Sequence, residues 1–163
     1  MMTWQKMRDI QGKMMTIYNH GTSHAHFLDL DKVQIQQAQN RLNQELGKAD
    51  KIFAYPYGES NLDILGQIKN MGYVAFGQHS GVVSTTSNLQ NLPRFPMAVN
   101  YAKMDAFKLK VSTLSMPIVE NKINPIVTNK NPPILRLTFK NPLTKSAKEK
   151  LNCFADSEVK IHW

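Results

Sequence analysis

At 163 residues and 18.6 kDa, with 42% hydrophobic and 20% charged residues, the chain has room for one ordinary domain and a small appendage, which excludes wholesale disorder. No stretch reaches the ~18 consecutive apolar residues of a membrane span, and a single cysteine, Cys153, excludes an internal disulfide. The net charge of +8 is concentrated in residues 101–163, which carry eleven Lys/Arg against five Asp/Glu; these lysines are scattered among Asn, Pro and Thr, without the Arg clusters and interleaved aromatics of a nucleic-acid reader.

Residues 3–12 read as an amphipathic helix with Trp4, Met7 and Ile10 spaced by three and Gly12 placed to end it. These N-terminal residues hold no secretory apolar core. Met14–Tyr18 reads as a short buried strand and leads into Asn19-His20-Gly21-Thr22-Ser23-His24-Ala25-His26. Asp29 or Asp31 can cap a second helix running to about Gly47, with Ile35, Ala38, Leu42 and Leu46 on one face and Gln39 off it. Lys51–Tyr55 is the next strand, stopped by the turn Pro56-Tyr57-Gly58-Glu59. A third helix spans Asn61 to Met71, with Leu62, Leu65, Ile68 and Met71 on its apolar face, and Tyr73–Phe76 is a third strand. Alternating helices and strands predict a parallel α/β fold, in which reactive groups gather in loops at the C-terminal ends of strands. The loops at His20/His24, Tyr55–Glu59 and Gln78/His79 all hold such positions.

Beyond Leu92-Pro93-Arg94-Phe95-Pro96 the character changes. Residues 101–111 predict one more helix, and four of the eight prolines fall between Ser112 and Asn141 among short alternating runs. The division expected is an α/β portion over 1–111 and a β-rich, sandwich-like extension over 112–163.

The histidine stretch carries the chemistry. His20 and His24 stand four apart, so one helical turn brings both rings to one face, and neutral imidazole is the commonest zinc ligand. Spacing alone leaves two readings open, a metal pair or solvated turn residues. Glu59 reads as a metal or acid group or as a cap beside Ser60, Arg94 as a support for a catalytic base or an ion-pair partner, and His26 as a loop residue or one lying behind the ligands rather than a ligand itself.

Asn19-His20-Gly21-Thr22-Ser23-His24 resembles the His-(Ser/Thr)-x-x-His motif of the polysaccharide deacetylase superfamily, with Gly21 where Ser or Thr is usual. Ala54-Tyr55-Pro56-Tyr57-Gly58 resembles that family's Arg-x-Pro-(Tyr/Phe)-Gly motif, with Ala54 for Arg. Phe76-Gly77-Gln78 and Leu92–Pro96 are also similar to one of its branches, and the likeness spans residues 3–105. The resemblance implies a distorted parallel (β/α) barrel and hydrolysis of the acetamide C–N bond of N-acetylated polysaccharides. It implies a divalent metal, zinc above others, on His20 and His24. It also implies a substrate wall from Tyr55, Pro56, Tyr57 and Gly58, base support from Arg94, and a periplasmic or secreted setting.

The family's Asp-Asp motif, source of the third ligand and of the base, has no counterpart, since Asp9 is the sole acid before His20. Its late Leu-x-His is missing too, because neither His79 nor His162 follows Leu-x. The expectation is therefore an incomplete barrel, N-terminally truncated, with impaired or absent activity. The alternative is a catalytically dead carbohydrate-binding protein. An opened sheet edge invites self-association.

Overall fold

The computed structural model describes residues 2–13, 15–26, 32–119 and 136–151. Residues 2–115 among these form one compact unit, and 116–119 with 136–151 belong to a second.

In the first unit, α1 (Trp4–Ile10) begins where the Thr3 side chain accepts a hydrogen bond from the Lys6 N–H. It packs on α2 (Lys32–Leu46), where Arg8 and Arg41 each reach Glu45 at 2.7 Å and the Arg41 guanidinium lies 5.3 Å from the centre of the Trp4 ring. Asp29 and Asp31, the expected caps of α2, lie outside the described residues. Helix α2 buries Ile35, Ala38 and Leu42, and also Gln39, which the apolar pattern assigns to the solvent side.

β1 (Ile52–Ala54) and β2 (Val74–Phe76) pair in parallel, with Phe53 opposite Ala75 and Ala54 opposite Phe76. The connection between them contains α3 (Leu62–Asn70), begun by Asn61, whose side chain accepts from the Ile64 N–H. Two single-residue parallel bridges extend the pairing, Asn19 to Phe53 on one side and Phe76 to Leu92 on the other. The expected barrel is thus represented, among the described residues, by two strands and two flanking bridges.

The core gathers Ile35, Phe53, Tyr55, Ile64, Ile68, Tyr73 and Ala75, with Leu65 and Met71 against it. Each fully buried side chain of this size contributes roughly 1.5–3 kcal/mol. Two expectations need correction here. Met15–Tyr18 does not form a buried strand: Met15 is 59% exposed, Tyr18 39%, and only Asn19 joins β1. On α3, Leu62 is 46% exposed and the buried pair is Ile64 and Ile68.

Helix α4 (Met104–Val111) follows a 3-10 turn over Val99–Ala102. In the second unit, Pro117 and Val119 bond with Lys140 and Thr138 around an antiparallel bridge of Ile118 to Phe139. Beside this bridge the unit also carries α5 (Lys145–Lys150), whose KSAKEK sequence has no apolar alternation and is capped by the Thr144 side chain; most of the β-rich extension expected over 112–163 lies outside the described residues. Cys153 and His162 lie outside the described residues, as do residues 120–135. Among the described residues, no helix is long and apolar enough to cross a membrane.

Candidate active site

Parallel pairing fixes which loops meet. Asn19 pairs with Phe53, Ala54 with Phe76 and Phe76 with Leu92, all in parallel, so the residues that follow these pairs leave the sheet at its C-terminal edge. These are the His20–His26 loop, the Tyr55–Gly58 bend, the Gly77–His79 loop and Arg94.

His20 stands at the end of the first rung, with Nδ1 2.7 Å from the Ala54 carbonyl oxygen. A carbonyl can only accept, so Nδ1 carries the hydrogen and the Nε2 lone pair is left for a ligand. The His24 ring lies 4.9 Å from the His20 ring, centre to centre, at 70°. Two imidazoles on one zinc, each with Zn–N about 2.0–2.1 Å, have ring centres about 5 Å apart. The observed spacing is compatible with two ligands of one ion, and it is equally that of an ordinary edge-on ring contact. Among the described residues, no group of three or more His, Cys, Asp or Glu is arranged to hold a metal.

Tyr57 closes the other side. Its ring meets His24 edge-on at 4.5 Å and stacks on His26 at 4.1 Å and 6°. His26 in turn directs Nδ1 at both carboxylate oxygens of Glu59, 3.0 and 3.1 Å away. This corrects the capping expectation for Glu59, because Asn61 caps α3 and leaves the carboxylate to His26. His24 and Tyr57 both hold left-handed backbone, at φ 52° and 55°. Non-glycine residues in that region persist only where the surroundings impose it, and they cluster at functional sites.

The Tyr55–Gly58 segment is divided by burial. Tyr57 is 50% exposed, whereas Tyr55 is 1% exposed, with its hydroxyl donating to the Gln90 carbonyl at 2.7 Å. Tyr55 and Pro56 belong to the core, which corrects the expectation that they line a groove; the side chain available to a substrate is that of Tyr57. Burial pushes the Tyr55 phenol well above its ordinary 10.

Arg94 sits at the same edge. Its Nε donates to the Gly77 carbonyl at 2.9 Å, and its backbone N–H donates to His79 at 3.0 Å. Those bonds pin the loop after β2. Burial holds the His79 imidazole below its ordinary 6.5, so the ring is neutral at neutral pH.

Beneath the histidines lies a polar group that pattern reading missed. Asn19, Gln39 and Tyr73 are 1%, 2% and 2% exposed and hydrogen-bond to one another. The only signal in the sequence was a Gln near the apolar stripe of a helix, and that residue type is ordinarily assigned to solvent.

Comparison with known proteins places these residues in context. The polysaccharide deacetylase family model matches residues 1–76, which contain both the histidine pair and the Tyr57 bend. A solved Streptococcus pyogenes deacetylase, PplD in complex with acetate, is similar in fold, with a TM-score of 0.53 at 19% identity. The match covers 57% of this chain and 43% of that one, so the chain spans less than half the length of that structure. No curated protein matches.

Proposed function

We propose that this chain carries part of a metal-dependent deacetylase site, acting on the acetamide C–N bond of N-acetylated sugars in a polysaccharide. The observation that supports it is the single row of rings, His20 to His24 at 4.9 Å and His24 to Tyr57 at 4.5 Å, on the edge where parallel strands deliver their loops. When bound, a divalent ion, zinc above others, would polarise the acetamide carbonyl. The residues that would hold it are His20, kept in one tautomer by Ala54, and His24.

The chain's own contribution is positioning. Tyr57 offers a half-exposed aromatic face against which a sugar ring can lie. The Pro56–Gly58 bend sets the Tyr57 ring against His24 and His26, and the Tyr57 backbone N–H would meet the developing oxyanion. Arg94 secures the neighbouring loop. Among the described residues, the Glu59 carboxylate is engaged by His26, and no Asp or Glu joins the histidines as a third member of a metal-holding group. General acid–base help is worth about 10²–10⁴-fold, so acetate release by these 163 residues alone is expected near background. The family setting fits work on an envelope polymer outside the cytoplasm.

The test is calorimetric titration of the chain with zinc, alongside acetate release from N-acetylglucosamine oligomers. Stoichiometric zinc binding that is lost in His20→Ala and in His24→Ala supports the reading. Absence of zinc binding in the unmodified chain overturns it. A second reading, a carbohydrate-binding protein without catalysis, is favoured by the parallel stack of His26 on exposed Tyr57. Oligomer binding that survives His20→Ala and disappears in Tyr57→Ala would select it.

A further inference from the structure

The histidine loop is tied to the core by a polar network whose direction is fixed at every step. The Gly21 N–H can only donate, and it lies 2.9 Å from Asn19 Oδ1, which must therefore be the amide oxygen. Asn19 Nδ2 then faces the Ile35 carbonyl at 2.9 Å, Gln39 Oε1 at 3.3 Å and the Tyr73 hydroxyl at 3.4 Å. Gln39 is oriented independently, because its Nε2 donates to the Ala49 carbonyl at 3.0 Å and so turns Oε1 inward. The Tyr73 hydroxyl donates to that same Oε1 at 3.1 Å and keeps its lone pairs for Asn19. No group in this network needs flipping, and it ends on the Ile35 and Ala49 carbonyls, on the Gly21 N–H and, through Asn43 Oδ1 at 3.3 Å from Gln39 Nε2, on the Ala49 N–H.

The network joins three elements, since Ile35 and Gln39 come from α2, Tyr73 leads into β2, and Asn19 is the rung beside β1. It meets the loop at Gly21, which has no side chain to brace itself and adopts φ +80°. Gly21 follows His20 directly, so whatever holds the Gly21 amide also sets the backbone from which His20 projects.

We propose that Tyr73 and Gln39 are positioning residues acting through Asn19, and that they set how tightly His20 and His24 hold a divalent metal. The proposal rests on the reading of those histidines as ligands. Buried and fully satisfied networks of this kind rigidify what they touch. Groups behind metal ligands typically change affinity by 10–100-fold, and one step further removed the low end of that range is expected.

The experiment compares the full chain with Tyr73→Phe, which deletes one oxygen and leaves the ring against Phe53, and with Gln39→Met. Ile64→Val is the control, a core change that loses stability without touching the network. Each is titrated with cobalt(II) by visible absorption, and the hydrogen exchange of the Gly21 amide is followed by NMR. Tyr73→Phe and Gln39→Met should each bind cobalt about tenfold more weakly and exchange Gly21 faster, while Ile64→Val changes neither. Unaltered cobalt affinity together with unaltered Gly21 exchange in both network variants overturns the proposal, as does an equal effect of Ile64→Val. If the unmodified chain takes no cobalt, the metal reading fails separately, and Gly21 exchange alone decides the positioning: faster exchange upholds it and unchanged exchange rejects it.

Discussion

A Cβ built on Gly58 would overlap the Cβ of Gln78 and come within 2.8 Å of the Gln78 backbone nitrogen, and the residue adopts φ +72°. Glycine is required there on two counts, conformation and space. A left-handed alanine costs roughly 1–2 kcal/mol and overpacking against fixed backbone about 1–3 more, so Gly58→Ala should lose about 2–5 kcal/mol in urea unfolding. A loss under about 1 kcal/mol would mean that the bend relaxes freely. The neighbouring tyrosines divide for a related reason: Tyr55 ends the strand pointing inward, while Tyr57 is turned outward by the left-handed bend. Burial raises the Tyr55 phenol, and likewise that of Tyr73, where the bond from Asn19 opposes the shift in part. The folded state therefore resists an ionisation that the unfolded chain undergoes near 10. Stability from this source is intact below about pH 10 and is lost as pH rises further. Melting temperatures taken between about pH 8 and pH 11 should fall less steeply for Tyr55→Phe than for the unmodified chain, and parallel curves would exclude the effect.

At the level of elements, α3 shows what the pattern can and cannot reveal. Its existence follows from apolar spacing and its start from Asn61, whose side chain accepts from Ile64. Asn61→Ala should cost about 0.5–2 kcal/mol, measurable by thermal unfolding; no change would mean that water replaces the cap. The face was harder to read. With about 100° per residue, the apolar stripe centred on Ile64, Ile68, Leu65 and Met71 leaves Leu62 about 130° away, so a spacing of three that includes Leu62 drifts off the core. Gln39 misled in the opposite direction. A polar residue inside an apolar helix face is assigned outward unless its partners are known, and those partners, Asn19 and Tyr73, lie 20 and 34 positions away. His20, His24 and Tyr57 could be named from the sequence because the resemblance of their motifs singled them out and the alternation of helices and strands put both stretches in loops at one edge. The pairing of His26 with Glu59 could not, since it depends on the actual path of the bend.

For the whole molecule, the parallel pairing matters most where it stops. Among the described residues, Asn19 exchanges backbone bonds with Ile52 and Ala54 on one side, and the preceding residues Met15 and Tyr18 are exposed, although the Met15 carbonyl is taken by the Gly12 N–H and the Ile17 N–H by the Gln11 side chain. An edge of this kind, carrying large apolar side chains, is a template for another strand. Elsewhere in the same unit, α4 leaves Met104, Leu109 and Val111 at 63%, 70% and 66% exposure, which adds a second apolar surface. Self-association of the chain is the expected consequence, with the weight-average mass in sedimentation rising with concentration. The two surfaces can be told apart. Tyr18→Lys places a charge on the edge, where strand addition would have to bury it, whereas Leu109→Lys alters only the helix. Loss of association in Tyr18→Lys with retention in Leu109→Lys assigns the contact to the sheet edge. The reverse result moves it to α4, and a chain that stays monomeric at every concentration removes the premise that the edge is sticky. An edge contact would also lie next to the histidine loop, so in that case the dimer should alter cobalt affinity, and a helix contact carries no such expectation.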